Sequence, residues 1–368
     1  MRITFIIPEA NTRGGIRVVA IYAEQLQKRG HDVLVVSQPH SIPTFRQQLK
    51  SVLKGKGLIK QEQSSFSYFD TLNVPHKILE SRRPVIDQDI PDGEVVVATW
   101  WETAEWVAKL SHSKGAKAYF IQHHEIHPYL PKDRVIATYY SPLHKIVIAR
   151  WLKELMKNQY NDFSISLVPN SVNLEQFQTT PRLKQDQPTV GMMSSKLDWK
   201  GCDIAIQGVI LARQQISNLS LVAFGQEQLT SDLNFPDDTQ YFQQPPQPML
   251  KDIYARCDAW LFPSRLEGFG LPILEAMACR TPVIGTPAGA APELISQGGG
   301  ILVKPEDPED MAKAIIEIVN MSNDQWQVMS NAAYQTATSY TWEDATDLFE
   351  EALYTAIERT KNGDLKAQ

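Results

Sequence analysis

Cysteine is scarce. Cys202, Cys257 and Cys279 lie far apart in 368 residues. Their odd number and wide spacing fit neither a disulfide framework nor a zinc motif. Each reads as a small buried hydrophobe in a reduced, cytoplasmic protein. No apolar run approaches the roughly 20 residues that cross a bilayer. Ile3–Ile7 is too short for a signal-peptide core. An excess of basic charge is lacking too: 36 Lys and Arg face 42 Asp and Glu, a net charge of −6. That argues against a general nucleic-acid binder. Short repeats and low-complexity tracts are missing. With 43% hydrophobic and 21% charged residues, wholesale disorder is excluded.

What is present is an alternation of strands and helices, begun twice. Arg2–Ile7 is a short apolar run of the kind parallel strands show, and Pro8 ends it. A loop with Gly14 and Gly15 follows. From Ile16 to Arg29, Val18, Val19, Tyr22, Ala23 and Leu26 recur at helical spacing, and Gly30 closes that helix. Val33–Ser37 is the next strand, with others at Val95–Thr99, Lys117–Ile121, Lys145–Ala149 and Ile165–Val168. Gln178–Pro188 is polar, proline-punctuated and linker-like. The pattern then restarts with a strand at Thr189–Met193, a loop at Ser194–Gly201 and a helix to about Gln215. Strands follow at Leu219–Phe224, Gln240–Phe242, Ala259–Phe262, Pro282–Ile284 and Ile301–Val303. The expectation is an α/β protein with two Rossmann-like, doubly wound domains, 1–177 and 178–340, facing a cleft. Residues 341–368 read as a helix and tail packing back toward the N-terminal domain. Thr341-x-x-Asp344 starts that helix as a capping box would.

The segment from Phe262 to Ile284 is the most informative. A strand ends at Phe262, and the loop after it carries Glu267, Gly268 and Gly270. A helix is expected to begin near Pro272, a residue suited to a first helical position. Glycines let the backbone approach a ligand closely, and the free N–H groups of a helix start suit a phosphate. With Glu275 expected in the first turn, its carboxylate reaches ribose hydroxyls beside that phosphate, and Glu267 reaches the adjoining sugar. The bland alternative is a solvated loop charge and a helix-start acid.

This segment resembles the Glu-x7-Glu signature of retaining GT-B glycosyltransferases, family four. The resemblance extends to Gly14-Gly15, to Val168-Pro-Asn-Ser-Val-Asn173, to Lys200-Gly201 and to Ala288–Ile295. It implies that residues 1–177 form the acceptor side and 178–340 the nucleotide-sugar side of a GT-B enzyme. Glu275 would bind the donor ribose and Glu267 the donor sugar. Phe269, Gly270 and Leu271 would present backbone N–H groups to the sugar. Lys200 would hold the diphosphate, with Gly15 touching it. The family's usual Arg is missing, and Ser195 falls about where it would be. Ser195 or Lys196 would replace it, although a lysine lacks the guanidinium fork. The family also places a His after a corresponding strand. In Gln122-His-His-Glu-Ile-His127, His123 or His124 fills that role, with Glu125 orienting the ring.

The three histidines and a Glu lack the spacing of a zinc site, so no metal is assigned. Asp87-Gln-Asp89 reads as a solvated loop. Trp100-Trp101 ends a strand and suits either sugar stacking or core packing. Thr44–Lys60 carries Arg46, Lys50, Lys54, Lys56 and Lys60 with no acid, a patch suited to an anionic acceptor or membrane surface, or simply a solvated run. The expected activity is retaining, metal-independent hexosyl transfer from a nucleotide sugar. UDP-sugar is the favoured donor, with UDP-glucose foremost, and the acceptor a saccharide or lipid-linked group in polysaccharide synthesis. No cofactor is expected beyond the donor. A sugar-nucleotide epimerase of similar shape and a non-catalytic nucleotide- or glycan-binding scaffold are the rivals. The expected location is cytoplasmic, with peripheral contact at the inner membrane face.

Overall fold

The structure is a computed structural model that describes residues 1–40, 45–53, 57, 66–229 and 233–365. The chain forms two compact units. One comprises Met1–Val147, Lys153–Val168 and Thr346–Gln368; the other comprises Ile148–Leu152 and Pro169–Ala345.

Among the described residues, the first unit holds seven parallel strands: β1 (Arg2–Glu9), β2 (Asp32–Gln38), β3 (His76–Ile78), β4 (Val95–Ala98), β5 (Ala116–Ile121), β6 (His144–Val147) and β7 (Ser166–Leu167). Their order is β3-β2-β1-β4-β5-β6-β7. Ile3, Phe5, Ile6 and Ile7 of β1 are fully buried, as expected of a strand covered on both faces. The order reverses beside β1, so the loops after β1 and β4 flank the topological switch point, where open α/β sheets bind ligands. Strand β3 has no counterpart in the sequence reading. It is three residues long at the sheet edge, too short for its apolar period to register.

Among the described residues, the second unit holds six parallel strands: β8 (Thr189–Ser194), β9 (Ser220–Gly225), β10 (Gln240–Gln243), β11 (Ala259–Phe262), β12 (Val283–Gly285) and β13 (Gly300–Leu302), in the order β10-β9-β8-β11-β12-β13. Again the first strand of the unit lies inside the sheet, and the order reverses beside it. Helix Cys202–Ala212 packs on helix Pro308–Asn320. A Cβ at Gly208 would stand 2.7 Å from Met311.

The polar stretch 178–188 is no free tether. The chain passes from the first unit to the second at 168/169, ahead of it. Arg182 donates to the Cys257 carbonyl at 2.5 Å and to Thr281 Oγ1 at 2.9 Å. The Gln185 N–H donates to Asp258 at 2.8 Å. Polar side chains here serve docking on the second unit, a use that composition does not distinguish from a linker.

The C-terminal helix is Trp342–Asn362, and from Thr346 on it belongs to the first unit. Its capping box is formed: the Asp344 N–H donates to Thr341 Oγ1 at 3.1 Å, and the Thr341 N–H donates to Asp344 at 2.8 Å. Phe349 stacks on Tyr22 with centroids 4.2 Å apart. Of the basic run, helix Phe45–Leu53 is described, with Leu49, Val52 and Leu53 exposed. Lys54, Lys56, Lys60 and the side chain of Arg46 lie outside the described residues. No helix among the described residues is long and apolar enough to cross a membrane.

Candidate functional site

The second unit brings Glu267 and Lys200 together. Strand β11 ends at Phe262, and the chain then turns through Gly270, whose φ is +100°. A Cβ there would lie 2.8 Å from the Phe262 ring, so only glycine fits both the backbone and the space. Helix Leu271–Ala278 follows, with Pro272 near its start. Glu267 accepts from Lys200 Nζ at 2.5 Å and from Ser264 Oγ at 2.9 Å. Lys200 sits in one 3-10 turn, Asp198–Lys200, which ends at Gly201 with φ +62°. A Cβ on Gly201 would stand 2.1 Å from the Pro263 carbonyl oxygen. The Lys-Gly pair therefore has a steric reason: glycine lets the turn lie against the loop that carries Glu267.

Arg265, which the sequence reading passed over, fastens the two segments. Its guanidinium donates to Asp203 at 2.8 and 2.9 Å, to Glu306 at 2.6 and 2.9 Å and to the Asp198 carbonyl at 2.6 Å. Its backbone N–H donates to the Trp199 carbonyl at 2.8 Å. The partners are 62 and 41 residues away, so no local signal marks the arginine. Two further groups brace the loop. Trp151 Nε1 donates to the Gly268 carbonyl at 2.8 Å, and the Ala290 N–H donates to the Phe269 carbonyl at 2.9 Å. Leu271, with Phe269 and Gly270 just before it, opens the helix, where the first N–H groups have no partner within the helix.

Glu275 is the fifth residue of its helix and lies in the second turn, not the first. The helix starts at Leu271, and no acid occupies its first turn. Glu275 is also buried, at 7% exposure, and its Oε2 accepts from the Tyr254 hydroxyl at 2.9 Å. Lys196 is turned to Glu227, at 2.7 Å. Ser195 Oγ accepts from the Leu197 N–H at 3.2 Å, which leaves its own hydroxyl proton as a donor.

In the first unit, Gly15 lies in the first turn of helix Gly14–Lys28, and its carbonyl accepts from Gln122 Nε2 at 3.1 Å. The loops after β1 and β5 thus meet. His123 Nδ1 is 2.8 Å from the His124 carbonyl, and its ring stacks on His127. His124 Nε2 bonds the Tyr160 hydroxyl at 2.7 Å. Burial, and then the neighbouring His123 and His127, push the His124 ring down to about 4, so it is neutral at pH 7.

Glu125 does not orient either ring. It is 1% exposed. Its carboxylate accepts from the Trp101 N–H at 2.8 Å and the Tyr119 hydroxyl at 3.3 Å, while its own N–H donates to the Tyr139 hydroxyl at 2.9 Å. Burial pushes its carboxyl up to about 8. Trp101 belongs to the core, 3% exposed, with the Arg134 guanidinium 4.8 Å from its ring centroid. Trp100 is half-buried. The Asp87–Asp89 stretch is a structural turn rather than a solvated loop. Asp89 is buried and takes two bonds from Arg83, at 2.6 and 2.7 Å, and Asp87 accepts from the Ser111 N–H at 3.0 Å. Among the described residues, no group of three or more His, Cys, Asp or Glu is placed to hold a metal ion.

Comparison with known proteins bears on both units. Residues 175–336 match the model of the family described as glycosyl transferases group 1. D-inositol 3-phosphate glycosyltransferase of Corynebacterium urealyticum is 34% identical over 118 residues, which are 32% of this chain and 28% of the relative. O-antigen chain mannosyltransferase B of Escherichia coli is 32% identical over 108 residues, 29% of this chain and 28% of the relative. The matched stretches thus span less than a third of these relatives. Sucrose-phosphate synthase from Thermosynechococcus elongatus superposes with a TM-score of 0.71 at 18% identity, covering 98% of this chain and all of that one. Anabaena HepE, solved in complex with UDP and glucose, gives 0.71 at 17% identity, covering 96% and 100%. The two parallel-sheet α/β units match the GT-B fold of these structures, and residues 175–336 are similar to a glycosyltransferase family.

Proposed function

We propose that the protein is a retaining hexosyltransferase that moves a sugar from a nucleotide sugar, UDP-glucose foremost, to a saccharide or lipid-linked acceptor. The observation that carries this reading is the Lys200–Glu267 pair at 2.5 Å, lying within a stretch that matches a glycosyltransferase family model. The UDP and glucose of the HepE complex support the choice of donor. The basic run Arg46–Lys60 supports an anionic or lipid-linked acceptor.

In this reading Glu275 binds the ribose, and Glu267 binds the sugar. Lys200 turns from Glu267 to the diphosphate and offsets the charge that develops as it leaves. The bond from the anomeric carbon to the diphosphate oxygen breaks. An acceptor oxygen bonds the same carbon on the same face, and its proton passes to the departing diphosphate. Configuration is retained with no covalent enzyme intermediate, so no carboxylate here is given the part of nucleophile. His123 or His124 takes the family's histidine role, in the case of His124 as a neutral ring.

The test is a thermal-shift screen against nucleotides and nucleotide sugars, since a ligand of the folded state raises its melting temperature. It is followed by NMR of the product's anomeric configuration. A UDP-dependent shift and an α-linked product from an α-linked donor are expected. Inversion would overturn the mechanism. An epimerised donor formed without acceptor would overturn the reaction class.

A further inference from the structure

Tyr254 is wholly buried, yet its hydroxyl is committed to a group the proposed chemistry needs. It comes from helix Leu250–Ala255, just before β11, 21 residues ahead of Glu275. Its ring is locked between Trp260, with centroids 4.4 Å apart, Phe224 at 5.8 Å and Phe177 at 6.0 Å. Its backbone carbonyl is held by Thr281 Oγ1 at 2.8 Å. A tyrosine fixed at ring and backbone has a hydroxyl fixed in space. That hydroxyl donates to Glu275 Oε2 at 2.9 Å.

The terminal torsion of a glutamate is soft and broad. A carboxylate that must present one oxygen to a sugar hydroxyl loses affinity if it can rotate away. Holding the other oxygen removes that freedom before the ligand arrives, which is how a supporting contact sharpens a binding group.

We infer that Tyr254 is a positioning residue: by holding Oε2 of Glu275 it aims the carboxylate at the ribose hydroxyls, and so sets the preference for ribonucleotides over their deoxy forms. The inference rests on the proposed role of Glu275 as the ribose ligand.

Calorimetric titration with UDP and 2′,3′-dideoxy-UDP tests it. Wild type should prefer UDP by at least about tenfold, the worth of one charge-assisted bond. Tyr254→Phe keeps the ring and should bring that ratio toward one, leaving dideoxy-UDP affinity within about twofold. A merely structural role would weaken both ligands together and leave the ratio alone. In a Glu275→Gln background, Tyr254→Phe should change the ratio no further.

A crystal structure of the wild-type UDP complex gives a readout that needs no variant to fold. Glu275 should keep its bond to Tyr254 while bonding the ribose. A wild-type preference that survives Tyr254→Phe, or a Glu275 that leaves Tyr254 to reach the ribose, overturns the positioning role alone. Wild type that ignores UDP, or binds both ligands equally, overturns the reading of Glu275 together with it.

Discussion

Replacing Glu125 by Gln should make the protein more stable in mild alkali, and the structure gives the size. The Glu125 carboxyl is raised from 4.5 to about 8, chiefly by burial; the Trp101 N–H and Tyr119 bonds pull the other way. Unfolding returns it to water, where the proton leaves near 4.5. Between these values the folded state holds a proton that the unfolded state has released, so stability falls as pH rises. The contribution is fully present below about 4.5 and is lost once the pH passes through about 8. Each pH unit between those two values costs about 1.4 kcal/mol, so the loss is roughly 4–5 kcal/mol. Gln keeps the shape and an oxygen for the Trp101 N–H and Tyr119, but never ionises. Urea unfolding of both proteins at pH 5 and pH 9 measures the difference. The two should be alike at pH 5, and Glu125→Gln should be the more stable by several kcal/mol at pH 9. All other titrating groups are shared, so they cancel in the comparison. Parallel pH dependences would show that Glu125 ionises in the fold and would refute the reasoning.

Other outcomes follow from the same contacts. Gly201→Ala should cost about 1–3 kcal/mol for its left-handed backbone, and more for the clash with Pro263, as read by urea midpoints. Lys200→Ala should abolish most sugar transfer and also lower stability by about 1–3 kcal/mol, because it leaves the half-buried Glu267 unmatched; unfolding curves beside activity assays separate the two. Glu275→Ala should weaken UDP binding by about 1.5–3 kcal/mol per lost bond, whereas Glu267→Ala should lower turnover and spare UDP affinity; equal loss of UDP in both would erase the division of roles. Anionic vesicles should bind the protein at low salt and release it as salt rises, and Lys50, Lys54 and Lys56 changed together to Glu should weaken that binding.

Much of the fold was legible because it is written locally. The short apolar runs of parallel strands and the helical recurrence of Val18, Val19, Tyr22, Ala23 and Leu26 lie within a few residues of one another. So does the Thr341–Asp344 box. The stretch 178–188 misled for the same reason. Its polar residues look like a linker's, and only the positions of Cys257, Thr281 and Asp258, dozens of residues on, show that they are anchors. Glu267 and Lys200 were each marked by a local motif. Their pairing was not, because 67 residues separate them and the turn at Gly201 must first lie against Pro263.

Glu125 and Glu275 show where such reading stops. By its neighbours in the chain, one reads as a ring-orienting loop acid and the other as a first-turn helix acid. In the structure both are buried and both take a tyrosine hydroxyl, from Tyr119 and Tyr254. Glu125 also takes the Trp101 backbone N–H, and burial drives its carboxyl up to about 8. Depth of burial is a property of the whole packed unit, so the charge a carboxyl carries is not written in its neighbours. A motif therefore names the candidate acid, and packing decides its state.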